Sequence, residues 1–300
     1  MKSDDVVALI EAHGRRDDER FRSIALAIAA NEQRAGRSSG ARLLAAAQKL
    51  SDRPAELPTK IAAMVREPAQ AVVAPVLTDD IRGQIQRIVD EHHMAAVIRS
   101  VGLAPIGSVM FTGPPGVGKT MTAGWIGSHI GLPTYVVRTE ALVKSYLGES
   151  GANLVALFDE IERRPAVWVF DEIDSLGTTR SADSGDVGEM LRVTNTLLRS
   201  MDQIGGTHRG LICGCTNVPQ LIDGALRSRF DATLEFGLPT PKAIAELVET
   251  TVAAIDVDFP SPDPACYGGW CHREIVRDIR HRAKGAMVSV VPTMVAAGRA

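Results

Sequence analysis

The sequence predicts an α/β fold: a doubly wound parallel sheet, preceded by a helical segment and followed by a small helical lid. Three observations lead there. Four short apolar runs, Ser108–Phe111, Thr134–Val137, Val167–Phe170 and Leu211–Cys215, are rich in Val, Ile or Phe, end in Gly, Pro or charge, and alternate with helical stretches. Buried parallel strands separated by helices have this pattern. A glycine-rich turn follows the first run directly. From Pro239 onward the spacing becomes helical, over Lys242–Ile255 and again over His272–Met287.

Residues 1–50 read as a helical segment. Val6, Leu9 and Ile10 share one side of a short helix, and Phe21, Ile24, Ala25 and Ile28 recur at three- and four-residue steps in a second. "GRSSG" at 36–40 interrupts the pattern before a third helix at 41–50. Such helices are too short to be stable alone; a structural cap and a partner-docking arm are both consistent with them. Residues 51–76 carry Pro54, Pro58, Pro68 and Pro75, which argues for an extended connector with at most a short helix. The α/β domain is expected over 77–237 and the lid over 238–300. Between the two lid helices, "DVDFPSPDPACYGG" is too rich in Pro and Gly for a further helix.

Composition narrows the function classes. The net charge of −3 exerts no overall pull on nucleic acid or anionic lipid. No apolar stretch reaches the length of a membrane span, and the charged start does not read as a secretion signal. The chain is expected to be cytoplasmic. Cys213 and Cys215 alternate within an apolar run and read as core thiols; Cys266, Cys271 and His272 lack the second pair a zinc site requires.

The turn after Phe111 is Gly113-Pro114-Pro115-Gly116-Val117-Gly118-Lys119-Thr120, with Met121 next. G-x4-G-K-T between a strand and a helix is the P-loop pattern. Its glycines let the backbone wrap phosphate oxygens, and the following helix adds its positive dipole end. Lys119 is suited to the terminal phosphates of ATP and Thr120 to Mg2+. Some fifty residues on, the run Val167–Phe170 ends in Asp171-Glu172. Asp171 is expected in the Mg2+ shell and Glu172 as the group that polarises the attacking water. Asn217, just past the run Leu211–Cys215, falls at the carboxyl end of a parallel strand, where ligands sit in such sheets. It can bond both the water and the γ-phosphate.

Together "GPPGVGKT" at 113–120, "KSYLGES" at 144–150, "FDEIDSL" at 170–176, "CTNVPQLIDGALRSRFD" at 215–231 and "LP" at 238–239 resemble the AAA family of the AAA+ ATPases. The segment "DDERFRSIALAIAANEQRAG" is similar to the N-terminal helices of stand-alone bacterial members, some of which resemble partners of a separate protease. The resemblance implies self-association into a ring, usually a hexamer, with ATP between subunits. It implies that Arg227 and Arg229 are arginine fingers completing a neighbour's site, and that Arg180 is a further interfacial basic residue. Lys144, Tyr146 and Leu147 then face a central channel, where the aromatic ring suits gripping an unfolded protein client. Arg273 matches a nucleotide-sensing position of related groups, and the lid is shorter than the family's. Two other readings stay open: a nucleotide-dependent scaffold or switch, and a DNA-transaction helper, for which only "RGQIQR" and "REIVRDIRHR" are locally basic.

Overall fold

The computed structural model describes residues 56–67, 74–143, 149–177, 186–205 and 208–297, with isolated helical positions at 7, 9, 24, 25, 27–29 and 32; side chains at 143, 149, 150, 177, 186–191 and 289–297 are not described. The chain separates into two compact units, 1–58 and 59–300. In the first, Ile28 and Ala29 are buried, Ile24 and Ala25 are half-buried and Val7 is exposed.

The second unit runs α1 (Thr59–Met64), β1 (Val65–Arg66), α2 (Asp79–His93), α3 (Ala95–Ser100), β2 (Ser108–Thr112), α4 (Lys119–Ile130), β3 (Thr134–Val137), α5 (Thr139–Val143), α6 (Glu149–Arg163), β4 (Val167–Phe170), α7 (Asp174–Gly177), α8 (Asp186–Ile204) and β5 (Leu211–Thr216). A 3-10 turn (Pro219–Leu221), α9 (Gly224–Arg227), β6 (Ala232–Glu235), α10 (Pro241–Ala253), a second 3-10 turn (Pro264–Tyr267) and α11 (His272–Ala297) complete it. The strands form one six-stranded sheet in the order β1-β3-β4-β5-β2-β6. Only β1 is antiparallel to its neighbour.

Every residue of β2, β4 and β5 is buried, because both faces of a parallel sheet are covered. Val167 and Val169 join a core that includes Ile81, Ile85 and Ile88 of α2 and Ile126 of α4. The alternate residues do not belong to that core: the Trp168 ring lies 5.0 Å from that of Tyr135 at a tilt of 40°, and the Phe170 ring lies 5.7 Å from that of Phe158 on α6. A separate core joins α10 and α11 through Ile244, Leu247, Val248, Ile275 and Ile279, with Phe259, Tyr267 and Val76.

All four expected strands are present, two of them one residue longer, to Thr112 and Thr216. Two strands are additional. β1 lies inside the proline-marked stretch read as a connector, where it pairs Val65 with Val137 and Arg66 with Val136. β6 carries a single fully buried residue, Leu234. Both are edge strands, which need little apolar sequence, so periodicity does not reveal them. α11 also continues past Met287 through Pro292. A proline removes one helical hydrogen bond without having to end the helix when the flanking residues sustain it.

Candidate active site

Strand register brings the chemistry together. β2 and β5 pair Thr112 with Thr216, so Gly113 and Asn217 leave the sheet side by side. β4 and β5 pair Phe170 with Gly214, so Asp171 and Glu172 emerge at the same carboxyl edge. The Ile173 amide donates to the Cys215 carbonyl at 3.0 Å, which fixes the turn after β4 against the end of β5.

The Lys119 ammonium donates to the carbonyls of Gly113 (2.7 Å) and Pro114 (2.9 Å) and to Oδ1 of Asn217 (2.8 Å). Its three donors thus have three acceptors. Lys119 is only 7% exposed, and burial pulls its pKa below the usual lysine range, against the opposing pull of Cys215 and Asp171. The Thr120 hydroxyl donates to Oδ2 of Asp171 at 3.1 Å. The same Asp171 oxygen is 3.8 Å from the guanidinium of Arg66, a neighbour that sequence reasoning missed because β1 was not recognised. Glu172 is exposed, with φ at 53°, in the left-handed region a non-glycine residue occupies at a cost of roughly 1–3 kcal/mol.

The phosphate loop is closely hemmed in. A Cβ on Gly113 would meet the Phe236 carbonyl at 2.0 Å. One on Gly116, whose φ is +81°, would lie 2.6 Å from the Cys271 sulfur. The Arg273 amide donates to the Gly116 carbonyl at 3.0 Å. The start of α11 is therefore seated on the loop. Beside it lies a cavity of about 270 Å³, counting space open to solvent, lined by Val117, Thr78, Ile81, Phe236, Ala243 and His272 among others.

A model of the "ATPase family associated with various cellular activities (AAA)" matches residues 109–238. The chain carries a domain of the AAA ATPase family. The chain is 34% identical over 202 residues to an uncharacterized AAA family ATPase, y4kL, of Sinorhizobium fredii, covering 67% of this chain and 60% of that protein. It is 32% identical over 203 residues to a protein of Methanothermobacter marburgensis named as a 26S proteasome regulatory subunit homolog, covering 65% and 54%. The chain thus spans a little over half the length of these relatives. Its fold matches the crystal structure of the FIGL-1 AAA domain in complex with ADP at a TM-score of 0.61 and 23% identity, over 77% of this chain and 80% of that one.

Of the residues expected in the AAA site, Gly113, Gly116, Gly118, Lys119, Thr120, Asp171 and Asn217 cluster as described, while Met121 is exposed on the first turn of α4. Pro114 and Pro115 are exposed. Arg227 and Arg229 bond elsewhere. Arg227 is exposed and donates to the Pro219 carbonyl at 2.8 Å. Arg229 grips both oxygens of Asp202 at 2.8 Å and donates to the Ala225 carbonyl at 2.6 Å; the hydrogen bonds to Asp202 raise its pKa further. Lys144, Tyr146, Leu147 and Arg180 lie outside the described residues. Among the described residues no helix is long and apolar enough to cross a membrane. Sequence reasoning missed Cys271 and His272 as neighbours of the site; their only local signal is adjacency to Arg273.

Proposed function

We propose that this chain hydrolyses ATP and couples the turnover to remodelling or unfolding a protein client, assembled as a ring with nucleotide between subunits. The observation that carries the reading is the convergence, at one glycine-lined loop, of Lys119 with Asn217 and of Thr120 with Asp171.

The donor set fits a magnesium-bound triphosphate. A buried ammonium, a helix N-terminus and glycine backbone that tolerates no side chain suit phosphate. A hydroxyl and a carboxylate within one hydrogen bond of each other suit a hard divalent cation. Bound Mg2+ supplies neutralisation of phosphate charge. Lys119 turns from its backbone acceptors to the terminal phosphates, which frees Asn217 to orient water. The Glu172 carboxylate, with no hydrogen bond to another described residue, accepts the water's proton. Arg227 is exposed, tethered by one backbone contact and free to extend toward a neighbouring subunit, which supports an interfacial role.

The client reading draws on the name of the Methanothermobacter relative and on the sequence likeness of Lys144, Tyr146 and Leu147 to channel residues. A separate protease acting on the client, and a cytoplasmic setting, belong to the same reading.

The test is Glu172→Gln. ATP binding should persist while phosphate release falls by roughly 100-fold or more. The variant, held in ATP, should retain its client for identification by pull-down. Undiminished turnover would remove Glu172 from the reaction. Capture of nucleic acid instead of protein would favour the DNA-transaction reading.

A further inference from the structure

Arg66 is the second of the two residues of β1, the antiparallel edge strand. Register aims it at the site. Arg66 pairs with Val136, Val136 pairs with Val169, and Asp171 follows two residues on. Side chains alternate along strands, so Arg66, Val136 and Val169 share one face of the sheet. Val136 and Val169 belong to one core with Ala123 and Ile126 of α4, so this is the face that carries the helix after the phosphate loop. The Arg66 guanidinium lies 3.8 Å from Oδ2 of Asp171, the oxygen that the Thr120 hydroxyl also bonds at 3.1 Å. At 3.8 Å the contact is an ion pair and not a hydrogen bond. Both side chains are open to water, at 51% and 36% exposure, so the pair adds little to stability. Its effect falls on the carboxylate. Lys119 spends its three donors on Gly113, Pro114 and Asn217 and leaves Asp171 to Arg66. Among the described residues, neither Arg66 nor Asp171 makes another ion pair.

We propose that Arg66 is a counter-ion of Asp171 that competes with Mg2+ for the carboxylate, and so sets how much free Mg2+ the site requires. Arg66 is then a positioning residue, acting on the metal through Asp171. The inference rests on the reading above that Thr120 and Asp171 hold Mg2+ beside the nucleotide. Two cations drawn to one carboxylate oxygen repel each other, and the repulsion lowers the affinity for both. A guanidinium keeps its charge at every ordinary pH, so the free Mg2+ concentration and not the pH decides the competition. The pair is suited to exchange: it is long, exposed and without a hydrogen bond, so the arginine yields at small cost. The antagonism is reciprocal, and Mg2+ loosens Arg66 by the factor that Arg66 weakens Mg2+.

The experiment reads binding and not turnover. Calorimetry follows ADP binding to the full chain in EDTA and in rising Mg2+. Electron paramagnetic resonance follows Mn2+, standing in for Mg2+, with ADP present. The variants are Arg66→Met, which keeps the length and removes the charge, Asp171→Asn, and the two together. In EDTA, Arg66→Met should bind ADP within about twofold of the unmodified chain, because Arg66 faces the carboxylate and not the phosphates. The half-saturating Mg2+ and the Mn2+ Kd should both fall by about threefold in Arg66→Met. Adding Arg66→Met to Asp171→Asn should produce no further fall, since the carboxylate through which Arg66 acts is gone. Unchanged cation affinity in Arg66→Met overturns the inference. So does a larger loss of ADP affinity in EDTA, which would put Arg66 on the phosphates. An equal fall in the Asp171→Asn background overturns it too, as general repulsion and not competition for one carboxylate. If ADP binds and neither cation does, the metal reading of Thr120 and Asp171 fails and takes this inference with it; if ADP does not bind under any condition, the phosphate-site reading fails first.

Discussion

Gly116 is constrained twice over, by a φ of +81° and by the Cys271 sulfur where a side chain would begin. Gly116→Ala should therefore destabilise the fold by about 1–3 kcal/mol and abolish ATP binding, measured by denaturant melts and calorimetry. The two arginines of the "RSR" segment are equivalent in sequence but not in structure. Arg229 is held by Asp202 and by the Ala225 carbonyl, whereas Arg227 has one backbone tether. Arg227→Ala should lower turnover by roughly 1,000-fold at an unchanged Tm, the size expected of an arginine finger. Arg229→Ala should lower the Tm as well. An equal loss of turnover with no change in Tm for both would make the Asp202 pairing irrelevant. Residue chemistry was the most legible level of the sequence. Lys119, Thr120, Asp171 and Asn217 lie where their motifs put them because the spacing between strand, turn and helix is short and leaves few conformations.

At the scale of elements, the lid helices matter through where α11 begins. Its first turn contacts the phosphate loop through Arg273 and Cys271, and its next turns bury Ile275 and Ile279 against α10. Ile279 is fully buried. Ile279→Ala should cost about 2–5 kcal/mol by leaving a cavity. Because the first turn of the same helix is seated on the phosphate loop, it should also weaken ATP binding, read by calorimetry. Unchanged ATP binding would mean that the lid core and the phosphate loop are independent. The central strands were legible because burial on both faces requires continuous apolar sequence. β1 and β6 were not, since an edge strand pairs through its backbone and leaves side chains facing solvent. The Tyr267 hydroxyl, which donates to Asp278 at 2.7 Å and whose burial and acidic neighbour push its pKa up to about 12, ties the 3-10 turn to α11 in a stretch where sequence reading found only proline and glycine.

For the whole molecule, the reading predicts that sites are completed across subunits. Mixing Arg227→Ala with Lys119→Ala chains should restore part of the hydrolysis that each lacks alone, because one mixed interface pairs an intact loop with an intact arginine. No recovery at any ratio, measured by phosphate release, would argue for sites complete within one chain. Sedimentation with and without ATP should show assembly that depends on nucleotide.

By itself the sequence determined the α/β class, the four central strands and the glycine loop, lysine and carboxylate at their ends. Each of these is written in a short window, as an apolar run or as a motif of fixed spacing. Only the tertiary structure decided that Cys271, His272 and Arg273 sit against a loop more than 150 residues earlier, that Arg66 approaches Asp171, and that Arg229 is held by Asp202 while Arg227 bonds the Pro219 carbonyl. Those relations arise from packing between segments distant along the chain, and no local period or spacing encodes which distant surfaces will meet.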